Sequence, residues 1–129
     1  TVNFAVSLEE SDEALPKFLE QCLYEMEEYF SARRRAFSVP LVMRGTDFQQ
    51  RVWDALLEVP FGQTVTYGQL AKEIGNAGAV RAVGTAVGDN PLAIIIPCHR
   101  VLPASGGIGN YASGSDKKEW LLKHEGVAV

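Results

Sequence analysis

The sequence predicts a mainly helical fold in two units, an N-terminal portion over residues 1–44 and a domain over residues 45–129 holding a helix-turn-helix and one short strand. Three observations carry this. Apolar residues recur at helical spacing from Leu15 to Phe30, and two successive capping boxes, Thr46 with Gln49 and Thr66 with Gln69, open helices beyond residue 45. An unbroken apolar run, Leu92-Ala93-Ile94-Ile95-Ile96, lies between Asn90-Pro91 and Pro97. With 129 residues and 47% apolar content, the chain can bury a real core without disulfide staples.

Leu15, Phe18, Leu19, Cys22, Leu23, Met26, Tyr29 and Phe30 form the stripe of an amphipathic helix opened by Ser11 or Asp12. Cys22 is one rung of that stripe and reads as core. Arg33-Arg34-Arg35 then make a basic turn, either solvated or set against phosphate. Gly45-Thr46 marks the boundary, and Phe48, Val52, Leu56 and Val59 give the next helix a buried face that ends before Pro60. Leu70, Ala71 and Ile74 follow the second capping box, with Gly75 as the stop. After Gly75-Asn76-Ala77-Gly78, residues 79–87 form a second short helix of small residues, so the pair reads as a helix-turn-helix or as an ordinary helical hairpin. Asn90-Pro91 breaks that helix, and Leu92 to Ile96 form a buried strand that delivers Cys98. A loop over 105–114 leads to a last helix, capped by Asp116 with Glu119 and stopped at Gly126.

Charge is unevenly distributed within a net −4. Residues 1–30 carry eight acidic groups against Lys17 alone, whereas the remainder holds eleven basic against eight acidic groups, a net of +3. Such asymmetry permits a polyanionic partner on one side. Cys22 and Cys98 are the only cysteines, no CxxC occurs, and neither a secretory leader nor a run of membrane-spanning length is present. A reducing intracellular compartment and no membrane association are expected.

Pro97-Cys98-His99-Arg100-Val101 concentrates the chemistry. A thiol is a strong nucleophile as thiolate, and positive charge or a base beside it loosens its proton, so Cys98 next to His99 and Arg100 reads as activated. Metal binding fits poorly, since Cys22, Cys98, His99 and His124 lack zinc-ligand spacing. A cysteine hydrolase using Cys98, a histidine and an acid such as Glu125 remains open, as does a binding module without chemistry.

Taken together, Gly45-Thr46-Asp47-Phe48-Gln49, Val52-Trp53, Tyr67-Gly68, Arg81-Ala82-Val83-Gly84, Asn90-Pro91, Ile96-Pro97-Cys98-His99-Arg100-Val101, Gly109-Asn110-Tyr111 and Lys118-Glu119-Trp120-Leu121-Leu122 resemble the O6-alkylguanine-DNA alkyltransferase family, the methylated-DNA–protein-cysteine methyltransferases. The resemblance is dense over 46–129 and looser over 1–44. It implies a truncated α/β N-terminal portion whose sheet is incomplete or absent, and a mainly α C-terminal domain with a winged-helix-like helix-turn-helix and a short active-site strand. It further implies single-turnover DNA repair by direct reversal, in which the alkyl group on guanine O6 moves irreversibly to Cys98.

By the same resemblance, His99 takes the thiol proton through a water and Glu125 orients His99, while Arg100 serves local architecture. Arg81 fills the place of the flipped base, and small Ala82, Gly84 and Ala86 let the helix approach the minor groove. Tyr67 assists flipping and donates toward guanine, and Asn90 is a structural hinge tying the recognition helix to the active-site strand. Tyr111, Ala112 and Ser113 line the alkyl pocket, and the carbonyls of Cys98 and Val101 read guanine's exocyclic amine. The partner implied is double-stranded DNA containing O6-alkylguanine, bound by a monomer with no cofactor and no metal, in the cytoplasm of a bacterium or archaeon or in a eukaryotic nucleus. Ser113 stands where glycine is frequent in the family, Ala112 where some members have serine, and Gly88-Asp89 supply no positive charge at the end of the recognition helix. These departures bear on pocket width and on phosphate neutralisation.

Overall fold

Phe18, Cys22, Met26 and Tyr29 fall three or four residues apart and are all buried, which makes α1 (Ala14–Phe30) an amphipathic helix with a narrow apolar seam. The computed structural model describes residues 14–39, 44–109, 111 and 114–129. The expected helix start at Ser11 or Asp12 lies outside them. Leu23 and Phe30 leave the seam, at 63% and 45% exposed, because they sit seven residues apart on the helix flank. Buried Glu25 fastens the following loop by accepting from the backbone N–H (2.8 Å) and hydroxyl (2.6 Å) of Ser38. The basic turn is likewise occupied within the fold. Arg34 pairs with Glu28 at 2.9 Å, Arg33 donates to Ser31 Oγ, and the Arg35 guanidinium lies over the Phe61 ring.

Both capping boxes form. Thr46 and Gln49 open α2 (Asp47–Leu57), which buries Val52, Trp53 and Leu56. Thr66 and Gln69 open α3 (Tyr67–Glu73), which buries Leu70 and Ala71 and ends at Gly75 with φ +80°. After a six-residue turn, α4 (Val80–Gly88) buries Val83, Ala86 and Val87. Helices α2, α3 and α4 pack on one another, and the Trp53 indole N–H donates to the Ala86 carbonyl at 2.9 Å across that interface. One apolar cluster joins Phe18, Cys22 and Val39 to Trp53, Leu56, Leu70, Val83, Ile96 and Cys98. The N-terminal helix therefore shares the core that carries Cys98.

Two strands pair in parallel, β1 (Val65–Thr66) with β2 (Val101–Leu102), in the register Val65 to Val101 and Thr66 to Leu102. This sheet anchors the segment just past Cys98 beside the start of α3. The strand expected over Leu92 to Ile96 does not form. The Ile96 N–H turns back onto the Leu92 carbonyl at 2.9 Å, the Asn90 side chain takes the Leu92 N–H and the Ile96 carbonyl, and Ile94 sits at φ +75°. The polar groups at both ends of the segment are thus taken up inside a curl, which leaves only an isolated bridge between Ala93 and Ile96. Cys98–Arg100 then form a single 3-10 turn leading into β2. No β-hairpin wing occurs among the described residues.

Helix α5 (Ser115–His124) starts at Gly114 with φ +111° and no side-chain cap bond. The expected pairing of Asp116 with Glu119 is absent because Asp116 already lies inside the first turn. Lys118, Leu121, Leu122 and Glu125 follow one face and are all buried.

Gly45 packs so tightly that a Cβ there would meet the Trp53 ring at 2.7 Å and Gln49 Oε1 at 2.7 Å. Gly45→Ala is expected to destabilise the fold by about 1–3 kcal/mol through overpacking against the buried ring. A lower urea midpoint with an unchanged m-value would be the signature, and an unchanged midpoint would refute the packing argument.

Candidate active site

The curl from Asn90 to Pro97 aims the thiol that comes directly after it. The Asn90 amide donates to the Ile96 carbonyl at 2.7 Å while its oxygen accepts from the Leu92 N–H at 2.8 Å, so the end of α4 and the approach to Cys98 are one rigid unit. Ile94 at φ +75° is a strained conformation for a β-branched residue, held by this bracing. Cys98 emerges at the floor of a cleft of about 920 Å³, walled by Tyr67 and Gly68 of α3, Val80, Gly84 and Val87 of α4, and Pro103, Ser105 and Tyr111 opposite.

Cys98 is only 7% exposed. Burial pushes its thiol pKa up, and hydrogen bonds with Asn90 and Tyr111 and the charge of Lys118 offset only part of that. The resting sulfur is therefore a protonated thiol. The adjacent Arg100 guanidinium does not offset this burial, because it is committed elsewhere. Arg100 Nε donates to Glu125 Oε1 and Nη2 to Glu125 Oε2, both at 2.8 Å, and Nη1 donates to the Val59 carbonyl at 2.7 Å.

Glu125 is the common acceptor of the site. Besides Arg100, it receives His99 Nε2 at 2.7 Å, the Tyr29 hydroxyl at 2.6 Å and the Gly62 N–H at 3.2 Å. Gly62 reaches it from a turn at φ +79°, and a side chain there would press on the Glu125 carbonyl. Burial alone would raise the Glu125 pKa, but its hydrogen bonds with His99 and Arg100 outweigh burial and hold it far below the ordinary carboxylate range. Glu125 is thus an ionised, acceptor-only partner, which assigns the His99 proton to Nε2 and the lone pair to Nδ1. Nδ1 is buried and has no hydrogen-bond partner among the described residues. Burial depresses the His99 pKa, against the pull of Glu125 and with the help of Arg100 and Lys118, so His99 rests neutral and able to accept a proton.

The remaining expected residues divide into several groups. Tyr67 and Tyr111 both line the cleft, and burial raises the phenol pKa of each, so both remain hydroxyl donors. Val101 is fully buried and its carbonyl already accepts from Lys118 Nζ at 2.6 Å. Arg81 and Ala82 are exposed on α4, and Gly84 faces the Tyr67 ring. Ala86 is corrected: it is 2% exposed in the core beneath Trp53, so it packs the helix pair and cannot touch a groove. Ala112 and Ser113 lie outside the described residues. Among the described residues no group of three or more His, Cys, Asp or Glu is arranged to hold a metal.

Sequence reasoning missed Lys118 and Tyr29. Lys118 is fully buried on the apolar face of α5, with burial lowering its pKa and the nearby Cys98 opposing that shift. The signal was available: Lys118, Leu121, Leu122 and Glu125 share one helical face, where a lysine and a glutamate belong only if both have partners. Tyr29 hid in the α1 stripe because its ring reads as core, while its buried hydroxyl bonds Glu125 from a distant part of the chain.

A match to the 6-O-methylguanine DNA methyltransferase, DNA binding domain, spans residues 47–127. The methylated-DNA–protein-cysteine methyltransferase of Methanosarcina acetivorans is 52% identical over 110 residues, which is 85% of this chain and 70% of that protein. The protein of the same description from Mycobacterium tuberculosis is 52% identical over 101 residues, 78% of this chain and 61% of its own length. The Mycobacterium tuberculosis OGT solved in complex with DNA superposes with a TM-score of 0.81 at 50% identity, covering 82% of this chain and 66% of that one.

Removing the Glu125 charge leaves Arg100 buried without its counter-ion, so Glu125→Gln is expected to cost about 3–5 kcal/mol at neutral pH. The sign of the pH dependence is fixed by the depressed carboxyl. In the parent, the Glu125 contribution is complete above 4.5, its ordinary value, and is lost as pH falls below it, because the unfolded chain then binds the proton more readily. Urea titrations across acidic pH should find the variant less stable at neutrality but losing stability less steeply below pH 4.5; parallel slopes would contradict the assignment.

Proposed function

This chain belongs to the methylated-DNA–protein-cysteine methyltransferase family, and we propose that it repairs DNA by direct reversal, accepting the alkyl group of O6-alkylguanine on Cys98. The observation that carries this reading is the placement of one buried thiol at the floor of a cleft beside α3 and α4, with a neutral His99 and an ionised Glu125 behind it. A cleft of about 920 Å³ has room for a nucleobase turned out of a duplex.

Extrusion of the base costs a few kcal/mol, which the protein offsets by filling the gap and by contacts to the bound base. Exposed Arg81, in the first turn of α4, is the filler, and Ala82 and Gly84 keep that face shallow enough for the minor groove, whose degenerate base code suits a reader indifferent to sequence. Tyr67, whose ring packs against Gly84, hydrogen-bonds the guanine ring, and Tyr111 covers the alkyl group. The Cys98 carbonyl reads guanine's exocyclic amine. The Val101 carbonyl keeps one lone pair for the same task beside its bond from Lys118.

In the transfer step the Cys98 proton passes through one water to His99 Nδ1, while the Nε2–H stays hydrogen-bonded to Glu125. The sulfur electron pair forms the S–C bond while the C–O6 bond breaks. Its electrons stay on guanine, which takes a proton at N1 equivalent to the one His99 received. The products are unmodified guanine and a Cys98 thioether, and a thioether is too poor a leaving group to regenerate the thiol. One protein therefore repairs one lesion. Binding is to double-stranded DNA by a monomer, and no helix of the described residues is long and apolar enough to cross a membrane.

Mixing the protein with a duplex containing O6-methylguanine is expected to add a single methyl group to the Cys98 peptide and to restore guanine in equal amount, read by mass spectrometry. Product beyond one equivalent would point instead to a hydrolase, and unmodified Cys98 in fully bound complexes to a lesion sensor. Cys98→Ala should abolish transfer and keep DNA binding. Arg81→Ala should slow repair of duplex about tenfold or more while sparing the free O6-alkylguanine base, since about 1.4 kcal/mol of lost flipping assistance is a factor of ten. Equal loss on both substrates would exclude the filling role.

A further inference from the structure

We propose that Tyr29, supplied by the N-terminal helix, is a positioning residue of the transfer reaction that sets the strength of His99 as a base by competing with it for Glu125 Oε2. The proposal rests on the roles proposed for Cys98, His99 and Glu125 in that reaction. Oε2 accepts from three donors, the Tyr29 hydroxyl at 2.6 Å, His99 Nε2 at 2.7 Å and Arg100 Nη2 at 2.8 Å. Oε1 accepts from Arg100 Nε and the Gly62 N–H. A carboxylate oxygen offers about two lone-pair directions, so three donors on Oε2 draw on the same electron density. What Tyr29 takes, His99 does not receive.

Tyr29 is built to hold this position. Its ring is fully buried among Phe37, Phe61 and His124, and its backbone carbonyl accepts from His124 Nε2 at 2.6 Å, one residue before Glu125. Both ends of Tyr29 thus grip the C-terminal end of α5. Burial, then the hydrogen bond to Glu125, push its phenol pKa far above neutrality, so it donates at every pH the protein meets. The other charged or titratable groups that face this centre are Arg100 and Lys118 at His99, and Arg100, Tyr111 and the His124 ring at Tyr29. None of them is a neutral donor shared on the oxygen that His99 uses.

The consequence has a definite sign. His99 becomes imidazolium as it takes the thiol proton, and Glu125 stabilises that cation in proportion to the density left on Oε2. Deleting the Tyr29 hydroxyl strengthens the bond between His99 and Glu125, raises the proton affinity of His99, and keeps it protonated to higher pH. A stronger donor at Tyr29 does the reverse.

The test is the pH profile of single-turnover methyl transfer from free O6-methylguanine base to the full chain, followed by mass of the Cys98 peptide. Parent protein should lose rate on the acid side as His99 protonates. Tyr29→Phe should move the midpoint of that limb up by about half a unit to one unit. Site-specific replacement of Tyr29 by a fluorotyrosine, which keeps the ring and the bond but donates more strongly, should move it down. Tyr24→Phe, on the exposed side of the same helix, should leave it in place. Midpoints unchanged in both Tyr29 variants, or moved in the opposite sense, would reduce Tyr29 to packing and overturn the proposal. A parent that transfers the methyl group with no acid limb would instead sink the underlying His99 base reading, an outcome separable because it needs no variant.

Discussion

One buried carboxylate organises this protein. Glu125 has no exposed side-chain surface, and an uncompensated anion there would not survive folding. It is kept ionised by donors from three other parts of the chain: Tyr29 of α1, Gly62 of the turn before β1, and His99 with Arg100 of the 3-10 turn. Each donor fixes one piece of backbone relative to the end of α5. The desolvation penalty that burial imposes is thereby turned into a geometric constraint, since any segment that drifts leaves a charge or a hydrogen bond unsatisfied. The same arrangement explains why α1, remote in sequence, belongs to the core around Cys98.

The second constraint is local and acts on the approach to the thiol. Residues 90–97 make no strand among the described residues apart from an isolated bridge between Ala93 and Ile96, yet the segment is not loose, because Asn90 pins both of its ends and Ile95 and Ile96 are buried. A strand would have alternated its side chains and carried Cys98 out along a straight line. The curl instead lets Leu92, Ile95 and Ile96 all face the core while the chain turns sharply into Cys98–Arg100. The positive φ of Ile94 is the cost of that turn, and it is tolerable because the surrounding hydrogen bonds leave no alternative.

These two constraints separate what is legible in the sequence from what is not. Capping boxes at Thr46 and Thr66, the Gly75 stop and the Asn90-Pro91 break depend on neighbours within one helical turn, and those are readable with correct boundaries. The Leu92 to Ile96 run misleads because apolar content says that a segment is buried, whereas strand formation needs a partner that sequence does not name. The expected capping box at Asp116 fails for a related reason: Gly114 turns the chain into the helix two residues earlier. Cys98 and His99 stand out by residue type. Tyr29 and Lys118 do not, because a tyrosine in an apolar stripe and a lysine on a surface-length helix are ordinary until their polar ends are traced across the fold. Ala86 illustrates the converse, where a small residue on α4, expected to meet DNA, proves to be filling space under Trp53.

Electrostatics also bears on why a site of this kind uses a protonated thiol. Burial favours neutral forms of both Cys98 and His99, so the resting pair carries no separated charge in the low-dielectric cleft. In the proposed reaction, charge separation arises only as the thiol proton moves to His99, and there the fixed Glu125 carboxylate meets the new imidazolium while Lys118 and the Tyr111 hydroxyl lie near the sulfur. The positive and negative partners are already in place before either charge exists, so little reorganisation accompanies the step. A permanently ionised thiolate would be open to oxidation and stray alkylation before a lesion arrived, a serious cost in the proposed reaction, where the acceptor reacts only once. Holding Cys98 neutral until base and substrate are both present is therefore the arrangement that would protect the single-use nucleophile of the proposed reaction.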